Sequence, residues 1–368
     1  MYDSVFTPLT VGALSLANRI IMAPLTRLRN IEPGDIPSAL AVTYYAQRAS
    51  AGLLITEATH ISPTAKGYAG APGIYNREHV HAWRAVTEAV HAAKGRIALQ
   101  LWHTGRISHR SVQPGHQAPV APSALKANSN TNIRDAHGVL VRAPCDEPRA
   151  LTLTEIGQII DDYCRATHYA REAGFDYVEI HAAHGYLLDQ FLSPHVNQRT
   201  DDYGGCIENR ARLILEVVDA IASSWNTNRV GIRLSPLGTF NDITHTEEDG
   251  MLAYLLPALA KRKLAYLHLS EAEWAGGQLY SDALRARLRE AYPGILIAAG
   301  NYTVEKAARL ITQGYIDAAA FGRSYIANPD LVERLRTHAP LATPDPSTYY
   351  GGGAHGYTDY PCYHTGNT

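Results

Sequence analysis

The chain has 368 residues, of which 46% are hydrophobic and 18% are charged, and its formal net charge is -2. This composition excludes an intrinsically disordered chain, because disordered segments are poor in apolar residues and rich in net charge. The near-neutral balance also argues against nucleic acid and anionic membrane as partners. No linker, repeat or low-complexity stretch divides the chain, so we expect a single domain over residues 1–368.

Targeting and cysteine patterns are consistent with a cytoplasmic protein. No window approaches the roughly 18 consecutive apolar residues of a transmembrane helix, and the first ten residues lack a secretory signal pattern. The four cysteines, Cys145, Cys164, Cys206 and Cys362, form no CxxC pair. A chain of this length buries a large core without disulfides, so we expect reduced thiols and no metal site.

Eight short apolar segments recur along the chain, with helical patterns between them. Nearly continuous apolar runs of this length suit strands that are buried on both faces of a sheet. In chain order they are residues 19–25, 52–59, 96–102, 177–181, 230–236, 265–270, 295–300 and 318–323. Eight strands alternating with helices favour an α/β fold that closes as a (β/α)8 TIM barrel; an open doubly wound sheet is the alternative.

The segments between these strands carry apolar residues at helical spacing. They predict helices over residues 78–94, 152–173, 208–225, 304–313 and 328–337. Thr152 and Glu155 have the spacing of a capping box at the start of the second of these helices. A further helical pattern, 247–263, contains Pro257, which we expect to kink the helix or end it early.

Two segments are expected to complete the barrel. Residues 5–16 carry turn signals at Thr7-Pro8 and at Gly12, and they predict an N-terminal hairpin that plugs the bottom of the barrel. Residues 105–150 separate the third strand from its helix, which is an unusually long connection. Long insertions in compact domains are usually lids or binding loops, so we expect this one to cap the active site.

The motif HAAHGY at the end of the fourth strand is the richest polar cluster in the sequence. It contains His181, His184 and Tyr186, and strand ends of this kind form the catalytic face of a barrel. Two histidines at this spacing also suit a zinc site, but the first strand offers no further ligands of the His-x-His type. A second alternative to a functional site is that both histidines are structural residues of the core, with their ring nitrogens hydrogen-bonded. We favour a cluster that stabilises an anion.

Other strand ends are polar as well. Thr26 follows the first strand, and Gln100 lies late in the third. Arg233 lies in the fifth strand among apolar neighbours, and a buried charge needs a partner. A structural salt bridge to Glu57 or Glu179 is the alternative to a functional role for this arginine.

The last two strands end in glycine, at Gly300-Asn301 and at Gly322-Arg323. Glycines allow a phosphate to approach the backbone, and the loops after strands seven and eight are the usual phosphate site of a barrel. A GxGxxG string at 351–356 is not a dinucleotide fingerprint, because it neither follows a predicted strand nor opens a helix. These strand ends therefore suit one phosphate, a planar polar ligand and a carbonyl-like group, as FMN binding requires.

Long segments of the chain match a known family. The most specific are HAAHGYLLDQFLSP and NQRTDDYGG, and NRIIMAPLTRLR, LQLWHTGRISH and AFGRSYIANPDLV also match. On these segments the chain resembles the Old Yellow Enzyme family of FMN-dependent ene-reductases. Within it, the chain looks most like the N-ethylmaleimide reductase and pentaerythritol tetranitrate reductase subgroup.

The resemblance implies a non-covalently bound FMN. Arg233 would face the N1–C2=O edge of the flavin, where a cation raises the reduction potential, and Asn301 and Arg323 would help to hold the phosphate. The implied cofactor-binding residues are Pro24, Leu25, Thr26, Ala58, Gln100, His181, Arg233, Gly300, Asn301, Phe321, Gly322 and Arg323.

The resemblance also implies the chemistry. NADPH or NADH would deliver hydride to the flavin, and an activated alkene would then occupy the same site. His181 and His184 would bind the carbonyl or nitro oxygen, and Tyr186 would supply the proton. The implied substrate-binding residues are Tyr68, Trp102, His181, His184, Trp274 and Tyr350.

Three questions stay open from the sequence. Relatives often carry an arginine at the place of Asn130, while Arg134 and Arg142 lie nearby, so the choice between NADPH and NADH is open. The alternative functions are a metal-dependent TIM-barrel hydrolase and an FMN-binding protein without turnover. The expected assembly is a monomer or small homo-oligomer.

Overall fold

The structure is a computed structural model that describes residues 2–244, 246 and 248–363. The barrel strands are β1 (Ile20–Met22), β2 (Leu53–Ile55), β3 (Ile97–Trp102), β4 (Tyr177–His181), β5 (Val230–Leu234), β6 (Tyr266–Ser270), β7 (Leu296–Ala299) and β8 (Ala318–Phe321). They pair in parallel in this order, and β8 also pairs with β1. The ring is therefore closed, which confirms the (β/α)8 barrel over the open sheet.

The second predicted strand is split. After β2 the chain leaves the ladder at Thr56 and resumes as the short strand Thr59–His60, which pairs with the end of β3. The hydroxyl of Thr56 accepts a hydrogen bond from the backbone N–H of Gln100, at 3.2 Å. A side chain thus replaces a ladder partner here, and the interruption leaves Ala58 at the upper end of the barrel.

Helices surround the barrel. Their bounds are Ala39–Ala46, Arg77–Ala92, Leu153–Glu172, Leu187–Leu192, Ile207–Ser224, Glu248–Lys261, Asp282–Ala291, Val304–Thr312, Arg323–Ala327 and Leu331–Thr337. The capping box of Thr152 and Glu155 is present, as predicted. The helices Ala39–Ala46, Leu187–Leu192, Asp282–Ala291 and Arg323–Ala327 were not predicted. Asp282–Ala291 has an N-cap, since Ser281 accepts from the N–H of Leu284, but its sequence is rich in arginine and offers only a weak apolar stripe.

The helix Glu248–Lys261 passes through Pro257 without ending there. Of the two outcomes expected at the proline, a kink or an early end, the early end is therefore not found. Leu255, Leu256 and Leu259 lie on either side of the proline and are buried in the core, and their burial offsets a cost of about 3 kcal/mol for an internal proline. Glu247, which the predicted segment includes, lies outside the described residues.

The N-terminal hairpin plugs the barrel as predicted. Strands Leu9–Val11 and Leu14–Leu16 pair antiparallel around Gly12, which has a left-handed φ of 52°. They pack on side chains at the N-terminal ends of the barrel strands, including Leu53 and Tyr266. The hydroxyl of Tyr177 donates to the carbonyl oxygen of Val11 at 2.7 Å, which ties the plug to β4.

Replacing Tyr177 with phenylalanine is expected to lower the free energy of unfolding by about 1–3 kcal/mol, because the buried carbonyl of Val11 loses its donor. Chemical denaturation measures this loss. Tyr163→Phe is the matched control, since the Tyr163 hydroxyl is buried and has no hydrogen-bond partner within the described residues. Equal losses in the two variants would show that the bond to the plug contributes nothing.

The long connection after β3 has its own short strands. Val120–Ala121 pairs in parallel with Arg149–Ala150, and Asn130–Arg134 pairs antiparallel with Leu140–Pro144. The second pair forms a hairpin that reaches the C-terminal end of the barrel. None of the described helices is long and apolar enough to cross a membrane.

Candidate active site

A cavity of about 690 Å³ lies at the C-terminal ends of the barrel strands. Ligand sites commonly measure about 300–1,000 Å³. Every site residue that the sequence predicted lies in its lining. Strands β3 to β8 contribute residues to it, whereas β1 and β2 contribute only through the residues that follow them. The predicted residues found there are Pro24, Leu25, Thr26, Ala58, Tyr68, Gln100, Trp102, His181, His184, Tyr186, Arg233, Trp274, Gly300, Asn301, Phe321, Gly322, Arg323 and Tyr350.

The strand register explains why distant polar residues meet. In the parallel ladder Glu179 lies opposite Gln100, and Arg233 lies opposite both His181 and His268. Alternate residues of a barrel strand face the interior. The inward positions of β3 to β6 therefore form a polar layer beneath the cavity.

Glu179 is the centre of this layer. It is fully buried, its Oε1 accepts from Nε2 of Gln100 at 2.7 Å, and its Oε2 lies 2.8 Å from Nδ1 of His268. Burial opposes ionisation, but His268, Arg233 and Gln100 together lower the pKa of this carboxyl below its usual value. An ionised carboxylate only accepts, so it turns the Gln100 amide nitrogen towards itself.

The consequence for Gln100 is a fixed orientation of its amide. Its carbonyl Oε1 is buried and finds no hydrogen-bond partner among the residues that the structure describes. Gln100 lines the cavity, so this oxygen is an acceptor available to a ligand. The sequence offered one signal for the layer, a glutamate within the otherwise apolar run YVEIH.

Arg233 is a nearly buried cation in the cavity lining. Burial lowers its pKa to about 10, with Glu179 opposing that shift, so the guanidinium stays charged at pH 7. Its Nη2 donates to Oγ of Ser270 at 3.3 Å, while its Nε has no partner in the described part of the chain. Glu57 instead accepts from the backbone N–H groups of Arg27 and Leu28. The structural salt bridge to Glu57 is therefore not formed.

The two histidines are neutral imidazoles. Burial, and then the charge of Arg233, lowers the pKa of both His181 and His184 well below 6.5. Their ring centroids lie 5.3 Å apart. Nε2 of His184 lies 2.8 Å from Oγ of Ser270, which leaves Nδ1 of His184 for a ligand.

Tyr186 is a protonated phenol beside them. Burial raises its pKa to about 12, while hydrogen bonds with Tyr68 and Asn241 oppose the rise. Its hydroxyl lies 3.1 Å from that of Tyr68. Its ring is 5.1 Å from the ring of His181 and 4.9 Å from that of Trp102. The phenol and the imidazoles thus share one corner of the cavity.

Aromatic rings form the walls. Tyr68 stacks on Trp102 at 5.2 Å, and Trp274 lies edge-on to His184 at 5.3 Å. Tyr350 is half exposed at the mouth. The GxGxxG string follows this tyrosine directly: Gly351 and Gly352 have left-handed φ values of 69° and 81°, and N–H of Gly351 donates to the carbonyl of Arg27.

The phosphate end is only partly available. The N–H of Asn301 donates to Glu273 Oε1 at 2.9 Å, and its side-chain amide donates to the Glu273 carbonyl at 3.2 Å. Arg323 lines the cavity and forms no ion pair within residues 2–244, 246 and 248–363. A phosphate would therefore meet Arg323 readily, whereas the backbone of Asn301 is already engaged.

Several lining residues were missed by sequence reasoning. Ser270 ends a predicted strand but was given no role, and Phe240 and Asn241 lie in the loop after β5. Asn132 of the hairpin in the long connection was also given no role, whereas Asn130 and Arg142 of that hairpin had been connected with the choice of nicotinamide. Serine and asparagine are common in loops, so nothing in their type or spacing distinguished them.

The described residues contain no group of three or more His, Cys, Asp or Glu side chains that could hold a metal ion. The fold and the cavity together define a barrel enzyme whose site suits a planar, polar and anionic ligand.

Comparison with known proteins identifies the family. Residues 4–342 match the model of the NADH:flavin oxidoreductase / NADH oxidase family. The chain is 43% identical over 361 residues to 12-oxophytodienoate reductase 1 of Oryza sativa subsp. japonica, which covers 96% of this chain and 92% of that protein. It is 41% identical over 361 residues to a probable flavin mononucleotide-dependent alkene reductase of Leishmania infantum, covering 98% and 97%.

Solved structures of similar proteins superpose closely on the chain. Morphinone reductase in complex with tetrahydroNAD superposes with a TM-score of 0.95 at 51% identity, over 99% of each chain. The Old Yellow Enzyme homologue of Zymomonas mobilis gives 0.93 at 39% identity, over 98% of this chain and 99% of that one. The chain belongs to the NADH:flavin oxidoreductase / NADH oxidase family and is an oxidoreductase. The predicted Old Yellow Enzyme family is confirmed; the subgroup within it stays a prediction.

Proposed function

We propose that this protein is an FMN-dependent NAD(P)H oxidoreductase that reduces C=C bonds activated by carbonyl or nitro groups, and also nitro compounds and nitrate esters. The observation that carries the proposal is one cavity in which two neutral imidazoles, a protonated phenol and a buried guanidinium converge. The names of the 12-oxophytodienoate and alkene reductase relatives support the same reaction class. Family membership gives no support to the hydrolase alternative.

The residues present fit FMN. Gln100 offers a buried acceptor and Arg233 a buried donor, and neither Oε1 of the one nor Nε of the other has a partner in the described structure. Arg323 supplies an uncommitted cation for a phosphate. Asn301 joins the phosphate site only if Glu273 releases its N–H. FMN held by these residues would supply hydride transfer between a nicotinamide and the substrate.

The roles of the remaining residues follow from their protonation. His181 and His184 bind the oxygen of the activating group and stabilise the negative charge that develops there; one such donor contributes roughly 3–4 kcal/mol. Tyr186 keeps its proton at pH 7 and delivers it to the α-carbon. Trp102 and Trp274 exclude water from the reacting atoms.

We further propose that residues 105–150 cap this site within a single domain of residues 1–368. Ser129, Asn130, Asn132 and Arg142 of this segment line the cavity, which supports the cap. Arg134 bonds to Glu32 at 3.0 Å, so Arg142 is the freer cation for a nicotinamide phosphate. The ratio of kcat/KM for NADPH to kcat/KM for NADH measures whether the protein prefers the phosphorylated nicotinamide.

Location and assembly complete the proposal. All four cysteines are free thiols, which supports the reducing environment of the cytoplasm. One chain supplies every residue of the proposed site, so a monomer or small homo-oligomer is sufficient for activity. Light scattering measures the assembly.

The purified protein is expected to be yellow and to release FMN on heating, because the site offers one phosphate pocket and no adenylate-binding unit. Chromatography of the released cofactor, and anaerobic consumption of 2-cyclohexenone with NADPH or NADH, measure the two parts of the proposal. Recovery of FAD, or of no flavin after saturation with FMN, contradicts the cofactor. A colourless zinc protein indicates the hydrolase, and bound FMN without turnover indicates a binding protein.

A further inference from the structure

The two histidines of the site differ in how the protein holds their rings. Nδ1 of His181 is buried and has no hydrogen-bond partner in the described residues. Nε2 of His184 lies 2.8 Å from Oγ of Ser270, the last residue of β6. A neutral imidazole carries one proton, and its position is set by the bond that the other nitrogen makes. The contact with Ser270 can therefore set the tautomer of His184, whereas Nδ1 of His181 has no such contact in the described residues.

The hydrogen bonds of Ser270 decide which tautomer satisfies the buried groups. Its Oγ accepts from Nη2 of Arg233 at 3.3 Å, and a guanidinium can only donate. Ser270 is fully buried, and its own hydroxyl hydrogen still needs an acceptor. Among the described residues, Nε2 of His184 is the acceptor within reach. The alternative tautomer, with a proton on Nε2, would leave the buried serine hydrogen without an acceptor, which is unfavourable.

The backbone of His184 is fixed separately. The residue has a left-handed φ of 60°, which is uncommon for a side chain of this size. Its N–H donates to Oγ of Ser235 at 2.8 Å, and its carbonyl accepts from Nδ2 of Asn241 at 3.0 Å. These two contacts position the ring without touching either of its nitrogens. The position of the His184 ring is thus set by contacts of its backbone, whereas the contact with Ser270 is made by the ring itself.

We propose that Ser270 is a positioning residue that holds His184 as the Nδ1–H tautomer, by accepting from Arg233 and donating to Nε2 of His184. Nδ1–H then faces the cavity as a donor to the substrate oxygen, whereas the other tautomer would present a lone pair to it. The same hydroxyl links the cation at the cofactor site to the substrate-binding imidazole. The consequence for substrate binding rests on the proposed function, but the tautomer itself does not.

The tautomer is measured directly by ¹⁵N spectroscopy of the histidine rings in the FMN-loaded protein, with the His184 signals assigned by their loss in His184→Gln. The parent is expected to show a protonated Nδ1 and a hydrogen-bonded, unprotonated Nε2. Ser270→Ala is expected to move the proton to Nε2 in a large fraction of molecules. Ser270→Thr, which keeps the hydroxyl, is expected to restore the parent pattern.

Ser235→Ala is the matched control, because it removes a hydroxyl that contacts the backbone of the same histidine. It is expected to leave the protonated nitrogen unchanged. Titration with phenol gives a second readout: Ser270→Ala is expected to weaken binding about tenfold, which corresponds to ~1.4 kcal/mol. A protonated Nε2 in the parent, or the parent tautomer retained in Ser270→Ala, overturns the proposal. A protein that shows the expected tautomers but reduces no alkene keeps this inference and refutes the proposed function.

Discussion

Replacing Tyr186 with phenylalanine is expected to slow alkene reduction by about 10²- to 10⁴-fold, the usual contribution of a general acid. The reduction of the cofactor by nicotinamide and the binding of phenol are expected to stay close to the parent values. The reason is that the pKa of this phenol is raised to about 12, so it keeps its proton at pH 7. In the proposed reaction that proton is needed only when the α-carbon is protonated. Rapid-mixing kinetics of the two half-reactions separate the effects.

The size of the loss depends on the substrate, because water can replace the phenol as a proton source. Nitro compounds, which accept hydride without protonation of carbon, are expected to be least affected. His181→Ala is the complementary variant, and it is expected to weaken phenol binding and to slow hydride transfer to the alkene. A Tyr186→Phe enzyme with slow cofactor reduction and a normal alkene step would show that the roles are reversed.

Replacing Arg233 with alanine is expected to lower the reduction potential of the bound flavin and to slow its reduction by about 10²-fold. A fixed cation favours the state in which the flavin carries additional negative charge, so its loss disfavours that state. The variant also leaves the carboxylate of Glu179 without its nearby positive charge. Phenol binding is expected to change less than flavin reduction.

Arg334→Ala is the matched control for Arg233→Ala. Arg334 is also a buried arginine, and its Nε donates to Asp330 at 2.7 Å. It does not line the cavity, so its loss is expected to lower stability and to leave the potential unchanged. If Arg233→Ala also lowers stability alone, with an unchanged potential and rate of flavin reduction, the role of Arg233 is structural.

The barrel and the polar ends of its strands follow from local patterns in the sequence. Short apolar runs separated by helical patterns indicate parallel strands, and closure of the ring brings their C-terminal ends together. This geometry is why residues as distant as Thr26 and Arg323 could be placed at one end of the barrel. Lining residues such as Pro24 and Tyr350 were instead implied by the family resemblance. The helix predictions that failed also depended on local patterns. Asp282–Ala291 has too few apolar residues to reveal its buried face, and burial of the leucines around Pro257 stabilises a helix that the proline alone disfavours.

The pairing of polar side chains was decided only by the tertiary structure. Gln100 and Glu179 are 79 residues apart, and His184 and Ser270 are 86 apart. The sequence shows which types of residue are present, but the register between strands decides which of them meet. The orientation of the Gln100 amide and the engagement of Asn301 by Glu273 depend on such contacts. A hydrogen bond forms only within a few tenths of an ångström and a narrow range of angles, and no pattern along the chain carries that information.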